Sequence, residues 1–114
     1  MIRRLSDVGQ FVQVTTSALR PEAATELAAY GISRMLRGAR AIDIGAGDGR
    51  LAFGVVAAGA REVVAVDPDP DALRAGRARA RELGVTNVSF RLGAAQDLPV
   101  AADRFDLAIL SWTL

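Results

Sequence analysis

The spacing of apolar residues along the 114-residue chain changes several times. From Pro21, a residue suited to a helix's first turn, Ala24, Leu27, Ala28, Gly31, Ile32 and Met35 recur at helical spacing until Gly38, which predicts a one-faced amphipathic helix. Beyond residue 39 come an apolar run over 41–44, a glycine-rich turn, an almost wholly apolar helix over 50–60 and a second apolar run over 63–66. After Pro68 and Pro70 a helix is predicted over 71–83, with Leu73, Gly76, Ala80 and Leu83 on one side and Gly84 at the favoured stop. Residues 88–92 and 105–110 read as the third and fourth strands. Residues 1–20 show no clear period and carry no assignment, although Phe11, Val12 and Val14 hint at a short extended stretch.

Strands that alternate with helices, and whose apolar runs are unbroken, are strands buried on both faces of a parallel sheet. Right-handed crossovers then leave an α/β fold with a doubly wound, Rossmann-like sheet. No repeat, linker or low-complexity segment divides residues 21–114, which read as one domain.

Composition narrows the chemistry. With 51% hydrophobic and 24% charged residues the chain is of ordinary globular type. All 14 basic residues are Arg, against 13 acids, so the net charge of +1 supplies no general attraction for nucleic acid. Arg74, Arg77, Arg79 and Arg81 read as the solvated face of a helix, since no aromatic interleaves them and Glu82 and nearby Asp residues offset their charge. The absence of Cys and His excludes disulfides, thiolate or imidazole metal ligands and Ser-His or Cys-His catalysis, and no metal site is expected. The longest apolar run, 51–60, is about half of what spans a bilayer. The N-terminus has two arginines but no apolar signal core, so a cytoplasmic location without a membrane partner is expected.

The informative stretch is Asp43-Ile44-Gly45-Ala46-Gly47-Asp48-Gly49, between a strand and a helix. Alternate glycines permit positive φ and close approach of a ligand to the backbone, while the helix start at 49–51 is expected to present unpaired N–H groups. A tight turn with small residues for packing is the simpler alternative. A dinucleotide fingerprint would need Gly where Arg50 stands, and a phosphate loop would need a Lys, which the chain lacks. Asp43 would repel phosphate and suits a ligand carrying an amino group there. Asp67 ends the second strand, where a carboxylate can accept hydrogen bonds from both hydroxyls of a ribose. It could instead cap the following helix, a task for which Asp69 and Asp71 also qualify. Asp67, Asp69 and Asp71 do not form a calcium loop, because Ala72 and Ala78 replace the Gly and Glu such a loop requires.

Together these residues resemble the class I S-adenosylmethionine-dependent methyltransferases, over residues 22–114, and specifically the group acting on small molecules. The resemblance implies S-adenosyl-L-methionine as cofactor, with Asp43, Gly45, Ala46, Gly47 and Gly49 around its methionine part. It further implies that Asp67 binds the ribose, that Pro68 packs on adenine and that backbone at Ala94 and Ala95 meets the adenine edge. Ser111 and Trp112 are expected to arrive beside the glycine loop. Ala94 stands where the family often has a polar group. Tyr30, the only Tyr, reads as a packed aromatic, and no catalytic residue is assigned.

The family sheet has seven strands, and this chain supplies the first four, in the order 3-2-1-4. The fourth then becomes an apolar edge over 105–111, without Lys or Pro protection, from which self-association and a truncated chain are expected. Methyl transfer to a small-molecule acceptor, with no nucleic-acid partner, is therefore the expected function. The alternatives are a non-catalytic nucleoside-binding module and an inert fragment that pairs through its exposed edge.

Overall fold

The computed structural model describes residues 11–15, 36–99 and 104–112. Apart from Leu36, the helix predicted from Pro21 lies outside the described residues. The elements are β1 (Phe11–Thr15), β2 (Arg40–Ile44), α1 (Arg50–Ala57), β3 (Glu62–Asp67), α2 (Pro70–Leu83), β4 (Val88–Leu92) and β5 (Leu107–Trp112). They form one parallel five-stranded sheet in the order β1-β5-β2-β3-β4.

Alternation along the strands explains why the apolar runs are unbroken. Ala41, Val63, Ala65, Leu107 and Ile109 turn to one face, where Leu51, Ala52 and Val55 of α1 and Leu73 and Ala80 of α2 cover them. Ile42, Ile44, Val64, Val66 and Ala108 turn to the other, where Leu98 and Phe105 pack. A strand with apolar partners on both sides has no position left for a polar alternation. Asp43 is the exception, fully buried on β2 on the face that carries the helices.

Within this sheet, β4, β3, β2 and β5 stand in the predicted order 3-2-1-4. The expectation of a bare fourth strand is corrected by β1, which pairs in parallel along the outer side of β5 from Phe11↔Ala108 to Thr15↔Trp112. β5 thus has a neighbour on each side, and the stretch over 105–111 offers no open edge for self-association. It also begins later than predicted. Asp106 is held before the strand by two bonds: its N–H donates to the Arg40 carbonyl at 2.8 Å, and its carboxylate accepts from the Arg40 N–H at 3.0 Å.

α2 follows its sequence signals closely. Asp69 caps it, accepting from the Asp71 N–H at 2.9 Å, Pro70 stands in the first turn, and Gly84 ends it in the left-handed conformation with φ 67°. α1 stops at Ala57, three residues short of the predicted helix, where Ala58 and Gly59 turn the chain back towards β3.

Candidate functional site

The sheet order reverses between β2 and β5, and the chain leaving β2 at this reversal is the glycine loop. In open α/β sheets such a crevice, outside the carboxyl ends of the strands, is where ligands bind. Gly45, Gly47 and Gly49 all have positive φ, at 78°, 60° and 86°, a conformation side chains resist. The loop is anchored to the end of β3: the Gly45 and Ala46 N–H groups both donate to the Val66 carbonyl, at 2.8 and 3.0 Å. The Gly47 N–H donates to Asp67 Oδ2 at 2.8 Å, while Asp67 Oδ1 accepts from the Asp69 N–H at 2.9 Å. The two features singled out in the sequence therefore form one unit, with the half-buried Asp67 carboxylate bracing the loop.

The three loop glycines do different work. A Cβ on Gly47 would enter open space, so its backbone is approachable from outside. A Cβ on Gly49 would come within 2.6 Å of Phe90 Cε1. Gly49 is buried and packs against the core, and its N–H donates to the Ala46 carbonyl at 3.0 Å. The expectation of an open N–H at Gly49 is corrected accordingly. α1 starts at Arg50, where the sequence predicts it, with no side-chain cap on its first turn.

Asp43 lies beneath the loop, paired in register with Ala65 and Ile109 and with no exposed surface. Pro68 is exposed directly after Asp67. Ala94 and Ala95 open a turn closed by the Asp97 N–H on the Ala94 carbonyl at 3.1 Å, and the Gly93 N–H ties that turn to the Asp67 carbonyl at 3.2 Å. Leu110 is level with Ile44, so the backbone of Ser111 continues past β2 beside Gly45. The structure thus gathers Gly45, Ala46, Gly47, Asp67, Pro68, Ala94, Ala95 and Ser111 at the carboxyl end of the sheet, with Asp43 and Gly49 packed below.

Sequence reasoning missed Gly76 as part of this arrangement. A Cβ there would meet Phe90 Cε1 at 2.3 Å and the Asp48 carbonyl oxygen at 2.9 Å, so α2 lies against the loop with Phe90 wedged between. The available signal was a glycine in mid-helix, which destabilises a helix by about 1 kcal/mol relative to Ala and implies a close approach.

Among the described residues no group of three or more acidic side chains is placed to hold a metal ion. No described helix is long and apolar enough to cross a membrane.

Comparison with known proteins places the fold and the loop in context. The chain is 44% identical over 52 residues to ribosomal protein L11 methyltransferase of Vibrio campbellii, covering 46% of this chain and 18% of that protein. The crystal structure of YcgJ from Bacillus subtilis superposes with a TM-score of 0.66 at 28% identity, covering 80% of this chain and 38% of that one. An RNA methyltransferase from Salinibacter ruber, in complex with S-adenosyl-L-homocysteine, has the same fold: TM-score 0.64, 23% identity, 82% of this chain and 58% of that one. These relatives correct the expectation of a small-molecule acceptor and of no nucleic-acid partner. The first carries a ribosomal protein in its name, and a putative RNA methyltransferase from Pyrococcus horikoshii is 28% identical with a TM-score of 0.53 over 63% of this chain and 36% of that one, so the shared half-sheet does not restrict the acceptor to small molecules. The chain spans less than a third of the length of the curated relatives it matches. The family model described as a methyltransferase domain matches residues 36–114, from the end of the predicted N-terminal helix through β5, and the chain belongs to that family.

Proposed function

We propose that this chain binds S-adenosyl-L-methionine at the carboxyl end of its sheet and serves as the cofactor-binding part of a methyltransferase. The observation that carries the reading is the Gly47–Asp67 hydrogen bond at 2.8 Å, which sets an approachable backbone and a carboxylate side by side at the reversal of strand order.

The residues present fit the cofactor. An ionised carboxylate offers about four acceptor positions, and Asp67 uses two of them on Gly47 and Asp69. The remaining two suit the adjacent hydroxyls of a ribose. Space over Gly47 admits the methionine part along Gly45, Ala46 and Gly47, above the buried Asp43. The exposed ring of Pro68 would pack on the adenine, and the backbone at Ala94 and Ala95, in the turn tied to Asp67, would meet its edge. Ser111 borders the loop on the side of β5.

Bound there, the cofactor supplies a methyl group already activated on a sulfonium. The tasks left to the protein are alignment of the acceptor and exclusion of water. Asp67 would hold the ribose and the glycine loop the amino-acid part, which together would orient the cofactor. No residue of this chain is assigned as a general base.

The test is thermal unfolding with S-adenosylmethionine, S-adenosylhomocysteine and, as control, NAD. A ligand at a hundred times its Kd adds about 2.7 kcal/mol, which raises Tm by about ten degrees for a domain of this size. A shift with the first two alone supports the reading, and equal behaviour with NAD, or none with any of them, refutes it.

A further inference from the structure

The edge of the sheet remote from β1 has a character that cofactor binding does not use. Two clefts meet along β4. One, of about 460 Å³, lies between α2 and the strand and is lined by Arg77, Arg81, Ser89 and Arg91. The other, of about 350 Å³, opens on the opposite face and is lined by Ser89, Arg91, Arg104 and the Arg40–Glu62 pair. Ser89 and Arg91 belong to both, so the two clefts adjoin along one arginine-lined edge.

The arginines in it are not equivalent. Arg40 is spent: its guanidinium bonds Glu62 at 2.7 and 3.0 Å and lies over the Phe105 ring at 5.6 Å. Arg77, Arg81, Arg91 and Arg104 are exposed, and among the described residues none of them takes part in a salt bridge. The sole acid lining either cleft is Glu62, already paired. Four guanidinium groups thus line this edge in a chain whose net charge is only +1.

The backbone of β4 favours a phosphate chain over an extended peptide. The Val63 N–H donates to the Asn87 carbonyl at 2.9 Å and the Gly93 N–H to the Asp67 carbonyl at 3.2 Å, so odd-numbered residues from 87 to 93 pair with β3. Parallel ladders alternate, which turns the backbone groups of Val88, Phe90 and Leu92 outward. An added peptide strand would need the Phe90 carbonyl, but Arg77 already donates to it at 2.8 Å. Strand pairing there would compete with that bond. The remaining donors of Arg77, with those of Arg81, Arg91 and Arg104, point to bidentate recognition of phosphates. The guanidinium groups are spread around both faces of an edge strand, a path that a flexible single strand can follow and a stiff duplex cannot. A single strand fits, and RNA is the nucleic acid that ordinarily presents one.

We infer that the β4 edge is a docking surface for the sugar-phosphate backbone of single-stranded RNA, held by Arg77, Arg81, Arg91 and Arg104 without base selection. The inference goes beyond the methyl-transfer reading and stands without it.

The experiment is fluorescence anisotropy of the full chain with a labelled 20-nucleotide oligouridine, across a salt series starting at 50 mM. Four phosphate contacts predict a slope of log K against log salt near about −3, at roughly 0.7 per contact on a single strand. Arg81→Gln/Arg91→Gln/Arg104→Gln is expected to weaken binding at least tenfold at the lowest salt and bring the slope to about −1. The same variant should keep the thermal shift with S-adenosylhomocysteine, which reports an intact fold. Absence of RNA binding at 50 mM salt, an unchanged slope in the variant, tighter binding of a 20-base-pair duplex, or equal competition by polyglutamate would each overturn the inference. Arginine-dependent RNA binding in a wild-type chain with no cofactor shift would instead sink the methyl-transfer reading and leave this one standing.

Discussion

Replacing Asp67 by Ala separates two roles that one carboxylate performs. In the free protein Asp67 Oδ2 accepts from the Gly47 N–H and Oδ1 from the Asp69 N–H, both below 3 Å. The site is half-exposed, so water can take up the freed N–H groups, and the loss of stability should stay near about 1–2 kcal/mol, a Tm decrease of five to ten degrees. Cofactor binding should lose more. A hydrogen bond to an ionised group contributes about 1.5–3 kcal/mol, so losing a single ribose contact weakens binding about tenfold and losing both about a hundredfold or more. Isothermal titration with S-adenosylhomocysteine, well below the Tm of the variant, measures this directly. A variant with reduced Tm and wild-type affinity would show that Asp67 only braces the loop, and the ribose assignment would fail.

Other consequences follow from the same geometry. Gly47→Val would place a branched side chain in the open space over the loop at φ 60°, and cofactor binding should be abolished in titration while circular dichroism shows the sheet retained. Gly76→Ala should destabilise by about 1–3 kcal/mol instead of giving the usual helix gain, because the new Cβ strikes Phe90; chemical denaturation reads this, and a stabilised variant would contradict the close packing of α2. With β1 in place, consecutive amides from Ala108 to Ser111 should all exchange slowly with deuterium, whereas a fast-slow alternation along β5 would return that strand to the edge.

The legible parts of this fold were those whose cause is local. The runs at β2 and β3 announce strands buried on both faces, and α2 is bracketed by its own cap, proline and terminal glycine. The loop and Asp67 were legible as a pair because a βαβ unit brings the ends of its two strands together. What escaped was non-local. Nothing near Phe11–Thr15 says that its partner is β5, 97 residues onward in register. The open N–H expected at Gly49 assumed that all three loop glycines face a ligand, whereas Phe90, from the far side of α2, claims that one for packing. The expectation of a small-molecule acceptor failed for a different reason: the described strands and loop carry no imprint of an acceptor.

The position of β5 has a kinetic consequence. β2, β3 and β4 are joined in chain order by short helical crossovers, and that three-stranded unit can assemble from neighbouring segments as soon as they exist. β5 is the last of the described strands, yet it lies between β2 and β1, the strand formed by the earliest described residues. On a ribosome β1 must therefore wait for β5, its one partner among the described strands, which enters between two neighbours that are already synthesised. Such late, long-range closure raises the contact order and slows folding relative to the β2–β4 unit.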